Sequence, residues 1–316
     1  MVFNAAFTRL QVAHTTAEGR LAIPARFTEL WIDVGTNSLG ALVDSDPPPP
    51  HVFVLAFEPL LDKYASMLAR HSQPLGLQPN AAALGHFHLQ GIILPLAVAS
   101  ADGNATFHVS QLDGCSSLLA HQRKRSDSHA GYPTHARTSC LDVVDTRQVP
   151  TVSLRTVLNR WLPSHLTLTR LKVDAQGMDV AIVESVAAEA RALRRVDLES
   201  YPSDCEPLYV GQPMCAEIVG RMQALGFQAA GGLPGRGGRS ACLRAANRGG
   251  GCATQNIRFV RRADLSVKRS SAAVDMTALG TLPRSSFSAP VFVPNPEFAR
   301  LQVAHTTAEG RLAIPA

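Results

Sequence analysis

The chain has no apolar run of the roughly 18 residues or more that a membrane-spanning helix needs. Its best candidate, Gly91 to Ala99 (GIILPLAVA), is short and holds a proline, so it reads as a buried strand. No basic stretch followed by an apolar core stands at the start, so a secretory signal is not predicted. The six cysteines (115, 140, 205, 215, 242, 252) form no CxxC pair and fall at irregular intervals. That spacing predicts reduced thiols of a cell interior, not a disulfide frame or a zinc site. Aromatic residues make up only 6% and do not interleave with the bases, so no platform for stacking nucleic-acid bases is visible. A GxSxG elbow is also missing, which argues against a hydrolase. His86 and His88 share one face of an extended segment but have no evident third ligand, so no metal site is predicted.

What is present has ordinary globular composition: 316 residues, 46% hydrophobic and 17% charged. The net charge of +5 is local. Between Gly231 and Ser270 nine bases stand against one acid, Asp264, and the remainder of the chain is slightly acidic. This segment is rich in glycine (AGGLPGRGGRS, NRGGGC), so it reads as a solvated loop and not as a nucleic-acid contact. A perfect repeat is the other oddity. LQVAHTTAEGRLAIPA occupies Leu10 to Ala25 and returns as Leu301 to Ala316, with nothing similar between. Two distant copies do not make a solenoid; they read as a recent duplication or a gene-model artefact. Arg9, Arg20 and Arg26 in an acid-poor start leave an organelle transit peptide as the alternative to a cytoplasmic location.

Two stretches carry the chemistry. In the first, Trp31 to Pro59, a strand (Trp31 to Val34) leads into a glycine turn (Gly35 to Gly40), a proline loop, and a second apolar strand (Val52 to Phe57) closed by Glu58. Ligands of open α/β sheets sit at the carboxyl ends of strands, where Asp33 and Glu58 would lie, so a nucleoside pocket is expected. The helix Leu61 to Arg70 follows, then two strands about a turn at Asp102 to Asn104, and a polar loop from Leu112 to Gln148. In the second stretch, Leu166 to Ser200, a strand ends at Asp174, Gly177 makes a turn, and Asp179 opens a helix reaching about Ala190. Another strand then ends at Glu199, which completes a parallel βαβ unit. The helix PMCAEIVGRMQALGF and a last strand, Thr254 to Arg262, complete the domain.

The run WIDVGTN, AFEP, LPLAVASADGNATF, SSL, VPTVSLRTVL, LKVDAQGMDVAIVES and a closing IRFVRR resembles the FkbM-type family of S-adenosylmethionine-dependent methyltransferases, in order and rough spacing, over about Arg26 to Asp264. Gln176 stands where that family often has Glu, and ALVDSDPPPP replaces a first helix after Gly40. The resemblance implies an α/β, Rossmann-like class I methyltransferase fold: a mostly parallel seven-stranded sheet with helices on both faces and its last strand antiparallel. It implies S-adenosylmethionine as cofactor and a small-molecule acceptor.

Glu58 is expected to take the ribose hydroxyls, Gly35 to permit close backbone approach, and Asp33 and Asn37 to hold the methionine end. Asp174 is the candidate catalytic group, accepting the acceptor's proton or orienting the acceptor. Gly35 to Gly40 also approximates the dinucleotide fingerprint GxGxxG, with Glu58 near the place of a ribose-binding acid. Asn37 fills the middle glycine, however, and Asp33 beside a phosphate at ~4 Å would cost about 4 kcal/mol at an effective dielectric of 20. Charge thus favours a cationic nucleoside over NAD. Residues 1–26 are expected to form a poorly structured extension, 27–264 the methyltransferase domain with long loops at 112–148 and 230–253, and 265–316 a disordered tail. O-methylation of a hydroxylated or sugar-like acceptor is the expected activity, with a noncatalytic binding protein as the alternative.

Overall fold

The computed structural model describes residues 16–37, 48–72, 90–122, 140–203, 205–230 and 255–262, together with the backbone of 10–11, 301–302, 305–306 and 312–313. The body is a seven-stranded sheet. Its strands are β1 (Glu29–Val34), β2 (Val52–Phe57), β3 (Gly91–Leu94), β7 (Thr167–Val173), β8 (Arg195–Ser200), β9 (Phe227–Ala229) and β10 (Gln255–Arg261). The spatial order is β9-β10-β8-β7-β1-β2-β3. All neighbours pair in parallel except those of β10, which runs antiparallel to both β8 and β9. The antiparallel last strand expected from the sequence is therefore present, and the architecture is the Rossmann-like class I methyltransferase fold.

Parallel neighbours need crossovers, and helices supply them. Helix α1 (Leu61–Ser72) lies between β2 and β3, α2 (Asp179–Val186) between β7 and β8, and α3 (Cys215–Ala224) between β8 and β9. The start of α1 shows why the sequence folds this way: Leu60, Tyr64 and Met67 recur at helical spacing and all are buried. Strand β2, VFVLAF, paired on both edges, is buried at every position, as a parallel strand covered on both faces must be. Helix α2 stops four residues short of the expected end; the backbone N–H of Ala187 already reaches back only three residues, to Glu184 O.

A second sheet of three strands differs from expectation. The run GIILPLAVAS splits between β3 and β4 (Ala97–Ala99), and β4 does not form a hairpin with β5 (Gly103–Ser110). Strand β6 (Val143–Ser153) lies between them, parallel to β4 and antiparallel to β5. Asp102 is accordingly a structural acid: its carboxylate accepts from Ser153 N at 2.7 Å and from Thr156 Oγ1 at 2.7 Å. The expected loop 112–148 also contains order. Its last residues belong to β6, Asp113–Cys115 forms a 3-10 turn, and Ser117 pairs with His108. Residues 123–139 of that loop, and 231–254, lie outside the described residues.

The domain begins earlier than residue 27. Leu21 and Ile23 are buried in the main core, and Leu21 N donates to Trp161 O at 2.6 Å. Their alternation points both inward, so this part of the first repeat copy is not a loose extension. Leu10–Gln11 pairs in parallel with Leu301–Gln302, the same positions of the two copies. Within the expected tail, the described pieces are short strands, including the pair His305–Thr306 with Leu312–Ala313.

The cysteines also depart from expectation. Cys115 and Cys140 form a disulfide, Cys205 and Cys215 are disulfide-bonded too, and no free cysteine occurs among the described residues. Irregular spacing hid this because the pairs are made by the fold, not by local sequence. Cys115, Cys140 and Cys205 gather in a small apolar cluster with Tyr201, Leu208 and Tyr209. Closing a loop over a sequence separation of 25 stabilises the domain by about 3 kcal/mol through the unfolded chain. The double variant Cys115→Ser, Cys140→Ser is expected to lose about that much in urea denaturation without reductant, and an unchanged midpoint would contradict a stabilising role.

Candidate functional site

Strand order reverses at β1, which has β2 on one side and β7 on the other, and the carboxyl ends of these three strands frame a cavity. The cavity is lined by Gly35, by the polar side chains of Asn37, Glu58, Asp174 and Gln176, and by the apolar Leu60, Leu96, Val98, Phe107 and Leu118. Lys63 of α1 and Asp113 of the 3-10 turn form an ion pair and both border the cavity.

The glycine turn sets the geometry. Gly35 has φ +72, and its N–H and that of Thr36 both donate to Phe57 O at 3.1 Å. A Cβ built on Gly35 would lie 2.0 Å from the carbonyl oxygen of Asp174. Only glycine fits, and the close approach it permits is to the end of β7, which brings Asp174 to the cavity. Asn37 follows with φ +54, a left-handed conformation that Asn tolerates better than most residues.

Glu58 lies at the end of β2 and is nearly fully buried. Its Oε2 accepts from Asn37 N at 2.8 Å and its Oε1 from Leu60 N at 2.9 Å. A carboxylate has about four acceptor positions, so capacity remains for a ligand's hydroxyls. Burial pushes its pKa up to about 7, against the two backbone donors and the nearby Lys63, which pull the other way. Asn37 thus reaches the site through its main chain, as the residue that orients Glu58.

Asp33 is a correction. Its side chain is fully buried and does not line the cavity; Oδ1 lies 3.1 Å from the ammonium of Lys172. The reason is register: Asp33 of β1 stands opposite Lys172 of β7, on the same face of the sheet. The expectation that Asp33 meets a ligand's positive charge fails, because that charge is already supplied by the protein. Lys172 also lies 3.7 Å from Asp174 Oδ2 and 3.4 Å from Gly35 O. Burial by itself would depress this ammonium; Asp33, Asp174 and Glu199 outweigh it and hold the pKa above the ordinary lysine value.

Asp174, just past β7, lines the cavity, and its Oδ1 accepts from Gln176 Nε2 at 2.7 Å. Gln176 and Lys172 are the functional neighbours that sequence reasoning missed. A lysine inside the apolar run LTRLKVD was a signal, since a buried cation requires a partner. Asp179 is buried, with its pKa pushed up to about 7 by burial and then by the charge of Asp174. His121 stays outside this arrangement: its Nε2 lies 2.8 Å from Ser110 Oγ and 3.1 Å from Cys115 O, and burial lowers its pKa. His86, His88, His129 and His135 lie outside the described residues. Of the SSL serines, Ser116 borders the cavity, while the Ser117 hydroxyl donates to Gln176 O at 2.7 Å. No cluster of three or more metal-ligating side chains occurs among the described residues.

A family model described as the methyltransferase FkbM domain matches residues 41–229. No curated protein matches the sequence. Among solved structures, the crystal structure of the antibiotic-resistance methyltransferase Kmr is similar at 13% identity, covering 80% of this chain and 98% of that one with a TM-score of 0.31. A likeness of that size adds nothing to the family match.

Two measurements probe the charges of the site. Lys172→Met leaves Asp33 buried without its cation and is expected to cost about 3–5 kcal/mol, much of it recovered when Asp33→Leu is added; a neutral single variant in urea denaturation would refute the pair. Glu58 and Asp179 both hold their protons more tightly folded than unfolded, with pKa values of about 7. Their contribution to stability is complete below the ordinary carboxylate pKa and is lost as pH rises through 7. The ligand-free melting temperature should therefore rise as pH is lowered from 8 to 6, and a fall over that interval would contradict the burial of both acids.

Proposed function

Because this chain belongs to the FkbM methyltransferase domain family, we propose that it transfers a methyl group from S-adenosylmethionine to a hydroxyl of a small, sugar-like acceptor. The observation that carries this reading is the meeting of Glu58 and Asp174 in one cavity, on either side of the Gly35 turn. Glu58, held by the N–H groups of Asn37 and Leu60, has free acceptor capacity for the two ribose hydroxyls. The apolar part formed by Leu60, Leu96, Val98, Phe107 and Leu118 suits a flat base. Gly35 and Asn37 lie between Glu58 and Asp174 and would border the methionine end.

The charge of the lining supports a cationic nucleoside. Glu58, Asp113 and Asp174 face the cavity with one base, Lys63. A dinucleotide would set two phosphates among these acids, at about 4 kcal/mol for each contact near 4 Å at an effective dielectric of 20. When bound, the donor supplies an already activated sulfonium methyl. The chain then has to place the acceptor oxygen in line, where alignment can contribute up to ~7–11 kcal/mol, and to receive the hydroxyl proton, worth ~10² to 10⁴-fold. Asp174 is the group for that proton, since it lines the cavity from the end of β7. The disulfide-bonded cysteines favour an oxidising compartment over the cytoplasm for this activity.

Calorimetric titration tests the reading. Adenosylmethionine and its demethylated product should bind, and NAD should not. Glu58→Gln is expected to weaken binding about 10-fold or more, the value of hydrogen bonds to a charged group. Because the Glu58 carboxyl titrates at about 7, affinity should fall as pH drops from 8 to 6. Absence of binding would refute the proposal, and binding with no turnover of any hydroxylated acceptor would move the chain to a noncatalytic role.

A further inference from the structure

Lys63 stands in the first turn of α1, five residues after Glu58, and borders the same cavity. Its side chain is only 17% exposed, low for a lysine, whereas that of Asp113, its partner in the ion pair, is 46% exposed. The base is thus the more enclosed member of the pair. Helix α1 begins where Glu58 accepts from the N–H of Leu60 at 2.9 Å, so the segment that holds the carboxylate also returns an ammonium toward it. Asp113 comes from the 3-10 turn, and a Cβ built on its neighbour Gly114 would lie 3.6 Å from Asn37 Nδ2. The ion pair therefore joins α1 to a turn packed against the residue whose N–H orients Glu58.

We propose that Lys63 is a positioning residue of the donor site, whose ammonium keeps the Glu58 carboxylate charged to accept the ribose hydroxyls, and that Asp113 moderates that ammonium. This inference rests on the reading of Glu58 as the ribose-binding acid. A buried carboxylate without a cation nearby takes up a proton readily, and one of its oxygens then becomes a donor and offers less to two hydroxyls. Glu58 is close to that limit: burial raises its pKa to about 7, while the N–H groups of Leu60 and Asn37 and the charge of Lys63 pull it down. The other charged groups around it are acids, namely Asp62 of α1, Asp113, and Asp174 past β7. Asp62 lies 3.4 Å from Arg147 of β6. Among the described residues, Lys63 is the base that borders the cavity with Glu58. Asp113 opposes it, because a carboxylate paired with an ammonium cancels much of the field that the ammonium exerts beyond. Breaking the pair from its two ends is therefore not equivalent. Without Lys63, Glu58 loses its cation; without the charge of Asp113, Lys63 acts on Glu58 unopposed.

The test compares Lys63→Met with Asp113→Asn, which break the same ion pair. The Glu58 carboxyl is titrated by carbon-13 NMR in the full ligand-free chain, and binding of the demethylated product of adenosylmethionine is measured by calorimetry from pH 6 to 9. That probe carries no sulfonium, so a changed charge in the wall does not act on one in the ligand's centre. In Lys63→Met the Glu58 midpoint is expected to rise by about one unit, so that product affinity falls about fivefold at pH 7 and returns to within about twofold of wild type at pH 9. In Asp113→Asn the midpoint is expected to fall by about half a unit, with affinity at pH 6 raised about twofold. A pair that only latches α1 to the 3-10 turn would weaken binding in both variants and leave the midpoint in place. Midpoints that move together or not at all, or affinities that do not follow them, overturn the proposal, while product binding by the wild type keeps the donor reading. Opposite shifts of Glu58 in a chain that does not bind the product overturn the donor reading instead, and with it the purpose assigned to Lys63.

Discussion

The closeness of two backbones, at Gly35 and Asp174, is the constraint on which the site depends. Strands β1 and β7 run in register until Val34 meets Val173. One residue further on, the chains are so near that no side chain fits at Gly35. Lys172 reinforces this junction from below, with its ammonium near Asp33, Asp174 and the Gly35 carbonyl. Burial of such a group is unfavourable unless several partners surround it, and the parallel register brings those partners together. The cavity wall is therefore set by sheet pairing, not by the loops above it.

From this junction the polar groups spread in two directions. Toward β2, the turn carries Asn37 to Glu58, whose carboxylate is held by two backbone donors. Toward β8, Gln176 links Asp174 to Glu199, and the Tyr209 hydroxyl lies 2.7 Å from its amide oxygen and 2.8 Å from Cys115 O, two acceptors that share one hydroxyl hydrogen. Thus the sheet, the α2 turn and the disulfide-tied cluster meet at a single glutamine. Among the described residues acids outnumber bases in the cavity wall, and the buried Lys172 is turned into the sheet, toward Asp33.

Much of this plan was readable in the residues. Strand-end acids marked Asp174 and Glu58, because strands covered on both faces are apolar until they reach the ligand edge, and Gly35 and Gly177 punctuated the chain where turns occur. The mistakes have a common physical origin. Asp33 looked like a ligand-facing acid because its partner, Lys172, is supplied by a strand that follows 139 residues later. The hairpin expected about Asp102 failed for the same reason: β6 arrives from far along the chain and separates β4 from β5. Cys115 and Cys140 gave no local motif, since they meet across a sequence separation of 25 beside the apolar cluster with Tyr209. Nonlocal pairing decides each of these, and periodicity carries no information about it.

The disulfide has a further consequence for how this protein can vary. Cys115 lies beside cavity residues Gly114 and Ser116, and Cys140 lies just ahead of β6. The covalent tie holds the two ends of the intervening segment together, in addition to the contacts that Ser117 makes with His108 and Gln176. Lengthening such a tethered segment changes its closure entropy only slowly. Insertions or deletions between the two cysteines would therefore change the domain's stability little through chain closure, because the covalent tie fixes where the segment leaves and rejoins the fold.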